Sequence, residues 1–158
     1  MSLDDWILAL HLLAAFALVA SMVGFWVVVA AARSAERPSG VQAALRLSLP
    51  FVVLNGIGAV GTLVLGIWLA FSLDGYEIWD GWIIAAIVLW AVAGAAGGRA
   101  GREYGQVAER AGELAGAGDA PDTGLAAAMR NPRATALLVV STVATLLILI
   151  DMIWKPGA

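Results

Sequence analysis

The chain has 158 residues, of which 61% are hydrophobic and 13% are charged, and its mean hydropathy is +0.89. A soluble domain of this length cannot bury so much apolar surface, because its ratio of surface to volume is too high, so the composition predicts an integral membrane protein. The lack of cysteine excludes disulfides and thiolate sites, and the single histidine, His11, excludes a site with two imidazoles from one chain.

Four apolar segments cover most of the chain, at about residues 6–32, 49–72, 81–98 and 134–154. About 20 helical residues cross a 30 Å hydrocarbon core, so each segment is long enough to span a bilayer, the third only just. The segments are rich in alanine, leucine and glycine and lack the strict alternation of strands. We therefore predict an all-α polytopic membrane protein, a four-transmembrane-helix bundle that forms a single membrane domain over residues 1–158.

The basic residues lie almost entirely on one side of this predicted bundle. Residues 33–48 carry three arginines and residues 99–133 carry five, whereas Lys155 is the single basic residue on the other side. Because positively charged loops stay in the cytoplasm, we predict that these two loops are cytoplasmic and that both termini lie outside. The outer side is expected to carry an interfacial belt of tryptophans. Its members are Trp6, Trp68, Trp79, Trp82 and Trp154.

Helix ends can be read in and near the first basic loop. Ser39 and Gln42 have the spacing of a capping box, which predicts a short helix over residues 40–48. Pro50 then either begins a separate helix or kinks a continuous one. Residues 74–75 (DG) predict a tight outer turn.

The second basic loop contains a helix signal, a break and a helix start. Residues 99–116 are predicted to extend the third span as a helix, and residues 116–122 form a flexible break rich in glycine. Asn131 and Pro132 suit the N-cap and the first residue of the fourth span.

Small residues mark the predicted packing faces, because membrane helices associate through close backbone contact rather than through hydrophobicity. Span 2 places four of them at four-residue intervals: Gly58, Thr62, Gly66 and Ala70. Span 3 has one stripe with Ala86, Gly94 and Gly98, and a second with Ala93, Gly97 and Gly101. These stripes predict contacts within the bundle or, alternatively, the seam of a homodimer.

Two ionisable side chains lie within the predicted spans, His11 and Asp151, both in the outer leaflet and at similar depth. Burial of either charge alone would be unfavourable, so we predict a shared pocket between spans 1 and 4. The His11 ring would face span 4, and Met152 would line the pocket. The simpler alternatives are an interfacial histidine bonded to a backbone carbonyl, and an Asp151 that reaches the headgroups or pairs with Lys155.

Neutral polar residues within the spans are expected to find hydrogen-bond partners. Asn55 is predicted to bond across to another helix. The hydroxyls of Ser141, Thr142 and Thr145 are predicted to bond carbonyls one turn back in their own helix.

Four short motifs resemble those of a known family. They are residues 10–13 (LHLL), 61–70 (GTLVLGIWLA), 82–83 (WI) and 151–156 (DMIWKP). The chain resembles an uncharacterised family of predicted bacterial integral membrane proteins with four spans, which implies a multi-pass protein of the bacterial inner membrane. That family is distantly similar to the membrane domain of copper-resistance D proteins and to the four-helix membrane oxidase of haem biosynthesis. This resemblance implies a haem or copper role for His11.

The chain carries no P-loop, dinucleotide fingerprint, zinc-protease motif or serine triad. The leading hypothesis is therefore a non-enzymatic scaffold, assembly factor or accessory subunit of unknown activity and unknown cofactor. The first alternative is a redox or metal-handling protein that binds haem or copper through His11, with Met152 as a second ligand. The second is a small transporter or channel. Its expected partners are the lipid bilayer and a second copy or another membrane subunit, and not nucleic acid.

Overall fold

The computed structural model describes residues 2–72 and 79–155, and every regular element within them is a helix. The elements are α1 (Leu3–Ser34), α2 (Pro38–Arg46), α3 (Leu49–Ser72), α4 (Gly81–Gly116), α5 (Thr123–Met129) and α6 (Pro132–Trp154). The segments that contain α1, α3, α4 and α6 are long and apolar enough to cross a membrane. This confirms the predicted all-α fold with four spans. The predicted turn at residues 74–75 lies outside the described residues.

The first pair of spanning helices, α1 and α3, packs through glycine. A Cβ atom on Gly58 would lie 2.8 Å from the Leu18 nitrogen and 2.9 Å from the Ala14 carbonyl oxygen, so the two backbones approach each other closely here. The Ser21 hydroxyl donates a hydrogen bond of 3.1 Å to Asn55 Oδ1 across the same interface. The predicted bond from Asn55 to another helix is therefore confirmed.

The second pair, α4 and α6, meets at Gly97. A Cβ atom there would lie 2.8 Å from Ser141 Oγ, and this hydroxyl donates a 2.9 Å hydrogen bond to the Ala93 carbonyl of α4. The prediction that Ser141 bonds within its own helix is wrong, because the neighbouring helix comes close enough to offer a carbonyl. The prediction is confirmed for Thr142 and Thr145, which donate to carbonyls four residues back.

Two tryptophan indoles join the pairs. Trp26 of α1 donates from Nε1 to Thr142 Oγ1 of α6 over 2.9 Å. Trp90 of α4 donates to the Ala59 carbonyl of α3 over 3.0 Å. Going around the bundle, α1 is thus followed by α3, α4 and α6. Each indole is half-buried and satisfies its one donor with an acceptor on a neighbouring helix.

One end of the bundle, here called the tryptophan end, carries four exposed indoles. They belong to Trp6, Trp68, Trp79 and Trp154. Trp82 differs from the predicted belt, since only 7% of it is exposed. It packs in a cluster with Ala70, Ile83 and Met152, and Lys155 Nζ lies 5.5 Å from its ring centroid. Trp82 is buried because α3, α4 and α6 converge on it.

The opposite end, called the basic end, contains the short helix α2. The predicted capping box is wrong: Arg37 is the N-cap without a side-chain hydrogen bond, and Pro38 is the first helical residue. Proline suits this position, because its missing N–H would have no partner in the first turn anyway. The Gln42 side chain instead packs against Gly112 of α4. Pro50 lies in the first turn of a separate helix, α3.

Helix α4 continues beyond its apolar part as one uninterrupted helix to Gly116, which confirms the predicted extension. The break follows at Gly118 and Asp119, whose φ angles of +118° and +54° lie in the left-handed region that favours glycine and is also open to Asp and Asn. Asn131 accepts a 2.9 Å hydrogen bond from the Arg133 backbone nitrogen, and Pro132 begins α6. The predicted start of the fourth span is therefore confirmed.

Asp119 ties the break to α2, and its titration should report this contact. Its carboxylate accepts hydrogen bonds from Ser39 Oγ (2.7 Å) and from the Ser39 backbone nitrogen (2.8 Å). These bonds, the hydroxyl's first, lower the pKa of Asp119 below its ordinary value of 3.8. The contact therefore stabilises the fold fully above pH 3.8 and is lost as the pH falls through the lowered pKa. We expect NMR of the carboxyl carbon to show a lowered midpoint that rises in Ser39→Ala; an unchanged midpoint in that variant would contradict the assignment.

Candidate functional site

A buried core joins α1, α2, α4, α5 and α6 at the basic end. Its members are Val28, Val29, Ala32, Val41, Leu45, Ala100, Tyr104, Ala111, Leu125, Met129, Ala134 and Leu138. The core packs the last turns of α1, the start of α6 and the basic-end part of α4 against α2 and α5. Polar groups attached to it are therefore held in defined positions.

Arg33 is half-buried against this core, in the last turn of α1. Its Nε donates to the Met129 carbonyl over 3.1 Å. One Nη nitrogen, Nη2, donates to Tyr104 Oη over 3.2 Å and to Thr135 Oγ1 over 2.6 Å. All three acceptors are neutral, and Arg33 forms no ion pair with any carboxylate in residues 2–72 or 79–155. Its positive charge is therefore solvated by the protein but not neutralised.

The acceptors around Arg33 are themselves fixed. Tyr104 is only 3% exposed, and its ring packs edge-on against Phe25 with the centroids 5.8 Å apart. Thr135 donates its own hydroxyl proton to the Asn131 carbonyl over 3.1 Å. The guanidinium plane is therefore set by α4, α5 and α6 before any ligand binds.

Arg33 opens into a cleft of about 690 Å³ between the end of α1, α2 and α5, called the Arg33 cleft. Arg130 lines it from the end of α5, while Glu36 and Asp122 supply carboxylates. Asp122 is already engaged, since it lies 3.5 Å from Arg110 Nη2 and caps α5 by accepting from Leu125 N over 2.6 Å. Arg130 is exposed and, like Arg33, has no ion-pair partner among the described residues.

A second cleft of about 360 Å³ lies nearby along α4 and provides a contrast. There Arg133 Nε lies 3.4 Å from Glu103 Oε1, and Glu103 also accepts a 3.3 Å hydrogen bond from Asn131. The charges of the second cleft are thus paired, whereas the two arginines of the Arg33 cleft are not. From the sequence, Arg33 was predicted only to help orient the chain in the membrane; its position in the last turn of a span was the available signal for a site.

The structure gives the surroundings of each residue of the predicted outer site. The His11 ring lies against α3, beside the Thr62 backbone, and a Cβ atom on Gly66 would lie 3.0 Å from its Cε1. The ring was expected to face span 4. His11 Nδ1 and Asp151 Oδ2 are both buried without a hydrogen-bond partner, so these atoms do not bond each other. Met152 packs against the Trp82 cluster.

The reason for this orientation is the close approach of α1 to α3. Gly58, Gly61 and Gly66 all face α1, so the side of α1 that carries His11 lies along α3. A shared site of His11, Asp151 and Met152 stays a prediction. In the described parts of the chain, no group of three or more His, Cys, Asp or Glu side chains is placed to hold a metal ion.

The small-residue stripes of α3 and α4 have different surroundings. On α3, Gly58 faces α1, and Thr62 donates its hydroxyl to the Gly58 carbonyl over 2.8 Å. On α4, a Cβ atom on Gly94 or Gly98 would meet no atom within 4 Å, and both glycines are exposed. The α3 stripe is thus a contact inside the bundle. On α4, Gly94 and Gly98 face outward, whereas Ala86 is buried and Gly97 contacts Ser141 of α6.

The model of a protein family described as predicted integral membrane protein (DUF2269) matches residues 5–156. The chain belongs to this family. The match supports the expected resemblance to an uncharacterised membrane family and extends over nearly the whole chain. No curated protein matches the chain, and no solved structure matches it. Since the description of the DUF2269 family names no activity, a function for this member has to come from its own geometry.

Proposed function

We propose that this protein is a small non-enzymatic scaffold or accessory subunit that associates through the outward face of α4. The observation that carries the proposal is the change in that face along the helix. Its exposed residues near the tryptophan end are large, namely Ile84, Ile87 and Val88. Nearer the basic end it has a run of small exposed residues, namely Ala91, Gly94, Ala95 and Gly98, and the larger exposed side chains in this stretch are Val92 and Arg99.

Large apolar side chains are well solvated by lipid tails, whereas small ones leave the helix backbone accessible. In α3 of the same chain, the missing side chain of Gly58 allows the α1 backbone to come into contact. Gly94 and Gly98 have the same four-residue spacing, and the space above them is open. A second helix can therefore approach α4 as closely as α1 approaches α3.

We take the partner helix to be α4 of a second copy. A two-fold interface places the same surface on both subunits, and a glycine face is self-complementary in shape. In the proposed cell setting the protein is a single multi-pass membrane domain of the bacterial inner membrane, with the basic end in the cytoplasm. Both glycines then lie in the half of the bilayer that is nearer the cytoplasm.

The alternative role in haem or copper handling has weaker support from the chain's own donors. Its best observation is the buried Nδ1 of His11, which has no hydrogen-bond partner. The ring faces Gly66 and Thr62, which offer no side-chain ligand for soft metals or haem, and Met152 packs elsewhere. The donors on one chain therefore do not fit such a cofactor. A transporter would be expected to use broken spans, and α1, α3, α4 and α6 are continuous over their described lengths.

Disulfide crosslinking can test the α4 interface cleanly, because the chain has no natural cysteine. We expect Gly98→Cys to give a crosslinked dimer on mild oxidation of native membranes. Val140→Cys is the matched control: Val140 is 47% exposed on α6, and its neighbour Ser141 contacts Gly97, so the depth is similar. Val140→Cys should give only the background yield of crosslinked dimer.

A second variant separates association from folding. Gly98→Leu should keep the monomer fold, because a side chain at this position meets no atom within 4 Å. It should shift the purified protein from dimer to monomer in analytical ultracentrifugation. Equal crosslinking of Gly98→Cys and Val140→Cys, or a wild-type protein that is monomeric at all concentrations, would rule out the proposed interface.

A further inference from the structure

We infer that the Arg33 cleft binds a phosphate group, held between Arg33 and Arg130. This inference is independent of the α4 interface, since the cleft lies between α1, α2 and α5. Nothing in the family description concerns this end of the molecule.

The donors of Arg33 are only partly used. A guanidinium has five N–H groups, and the hydrogen bonds to Met129, Tyr104 and Thr135 use three of them. The two on Nη1 have no acceptor among residues 2–72 and 79–155. Because Arg33 lines the cleft, these two donors are available to a ligand there. Two N–H groups of a rigid fork match two oxygens of a phosphate.

The charge balance favours an anion at this point. A half-buried arginine without a carboxylate is costly, and neutral acceptors reduce that cost without removing it. Arg130 brings a second unpaired positive charge to the lining of the same cleft. Of the two carboxylates that line the cleft, Asp122 is held by Arg110 and by the start of α5. Glu36 is exposed, forms no ion pair among the described residues, and should oppose an anionic ligand.

The depth of the cleft indicates where the phosphate would come from. Arg33 lies in the last turn of α1, directly after the apolar part of a spanning helix, and so at the level of lipid headgroups. Basic pockets between spans at the cytoplasmic side are suited to anionic headgroups. A soluble phosphate could reach the same donors from the open side. The shared chemistry is a phosphate oxyanion, and experiment can separate the two sources.

The test compares lipid and soluble phosphate on the full-length purified chain. In one arm, native mass spectrometry counts phosphatidylglycerol molecules retained after extraction from mixed vesicles with phosphatidylcholine. In the other arm, thermal unfolding in a neutral detergent is followed with inorganic phosphate and with chloride at equal ionic strength. Retention of phosphatidylglycerol by wild type indicates a lipid headgroup, and stabilisation by inorganic phosphate alone indicates a soluble ligand. Either result supports the phosphate site if the lipid retention or the stabilisation is weakened when Arg33 or Arg130 is replaced.

Four variants make that dependence measurable. Arg130→Gln should weaken phosphate binding about tenfold, the usual effect of losing a hydrogen bond to a charged group, and Arg33→Gln should weaken it at least as much. Glu36→Gln should strengthen it a few-fold by removing an exposed like charge. Arg102→Gln is the control, because Arg102 is exposed on α4 and does not line the cleft. If Arg33→Gln fails to fold, phosphate binding by Arg130→Gln and Glu36→Gln still tests the inference. If Arg130→Gln and Glu36→Gln both bound phosphate as tightly as wild type, the inference would be wrong.

Discussion

A leucine at position 58 is expected to force α1 away from α3 and to lower the free energy of unfolding by about 3 kcal/mol. The reason is that the nearest atoms to a side chain at Gly58 belong to the backbone of α1, at 2.8 Å and 2.9 Å, and a helix backbone cannot rotate aside as a side chain can. Thermal or denaturant unfolding in detergent measures the loss. Ser21 and Asn55 on the same interface would lose their hydrogen bond as the helices separate.

Two further glycines of α3 provide graded controls. Gly56→Leu should leave the stability close to that of wild type, because nothing lies within 4 Å of a side chain there. Gly66→Leu should have an intermediate effect, since its neighbour at 3.0 Å is the His11 ring, which can turn. If Gly58→Leu were as stable as Gly56→Leu, the packing of α1 on α3 described above would be incorrect.

The second prediction concerns the orientation of the chain in the membrane, where each reporter should read as fully inside or fully outside the cell. Reporters fused after residues 40 and 118 should lie in the cytoplasm, and reporters fused after residue 75 and at the C-terminus should lie outside. The physical reason is that arginine is retained on the cytoplasmic side, and eight arginines lie in residues 33–48 and 99–133. Paired reporters that are active only outside or only inside the cell measure each position. A cytoplasmic signal at residue 75 would overturn the orientation.

This orientation also has a consequence for the Arg33 cleft. Cytoplasmic leaflets carry anionic lipids, so a basic end on that side would face the headgroups that the cleft is suited to bind. With the opposite orientation, the cleft would meet the outer leaflet instead. The reporter experiment therefore determines which leaflet should be used in lipid-binding experiments on intact membranes.

The number of long apolar helices, their helical character and several local contacts could be predicted from the sequence. Lipid is an apolar solvent in which the backbone must satisfy its own hydrogen bonds, so a long apolar segment has to be a helix. The start of α6 at Asn131 and Pro132 follows from local capping chemistry in the same way. The cross-helix bond of Asn55 was predictable because an amide inside a span needs a partner.

The tertiary structure alone decided which faces of the spans meet. Gly58 and Gly98 have the same kind of sequence environment, yet one contacts a neighbouring backbone and the other faces outward. Trp82 looked like an interfacial residue and is buried. Hydropathy cannot distinguish these cases, because lipid and protein interiors are equally apolar and a span gains no free energy of transfer by turning one face inward.

The surroundings of Arg33 were equally inaccessible from the sequence. Its acceptors come from positions 71, 96 and 102 residues further along the chain, and they belong to three different helices. The sequence by itself determined that Arg33 ends a span and that its charge marks one side of the membrane. Only the packing of α4, α5 and α6 around α1 decided that this charge would meet neutral acceptors and leave two donors free, because such an arrangement depends on contacts between distant residues that no local pattern encodes.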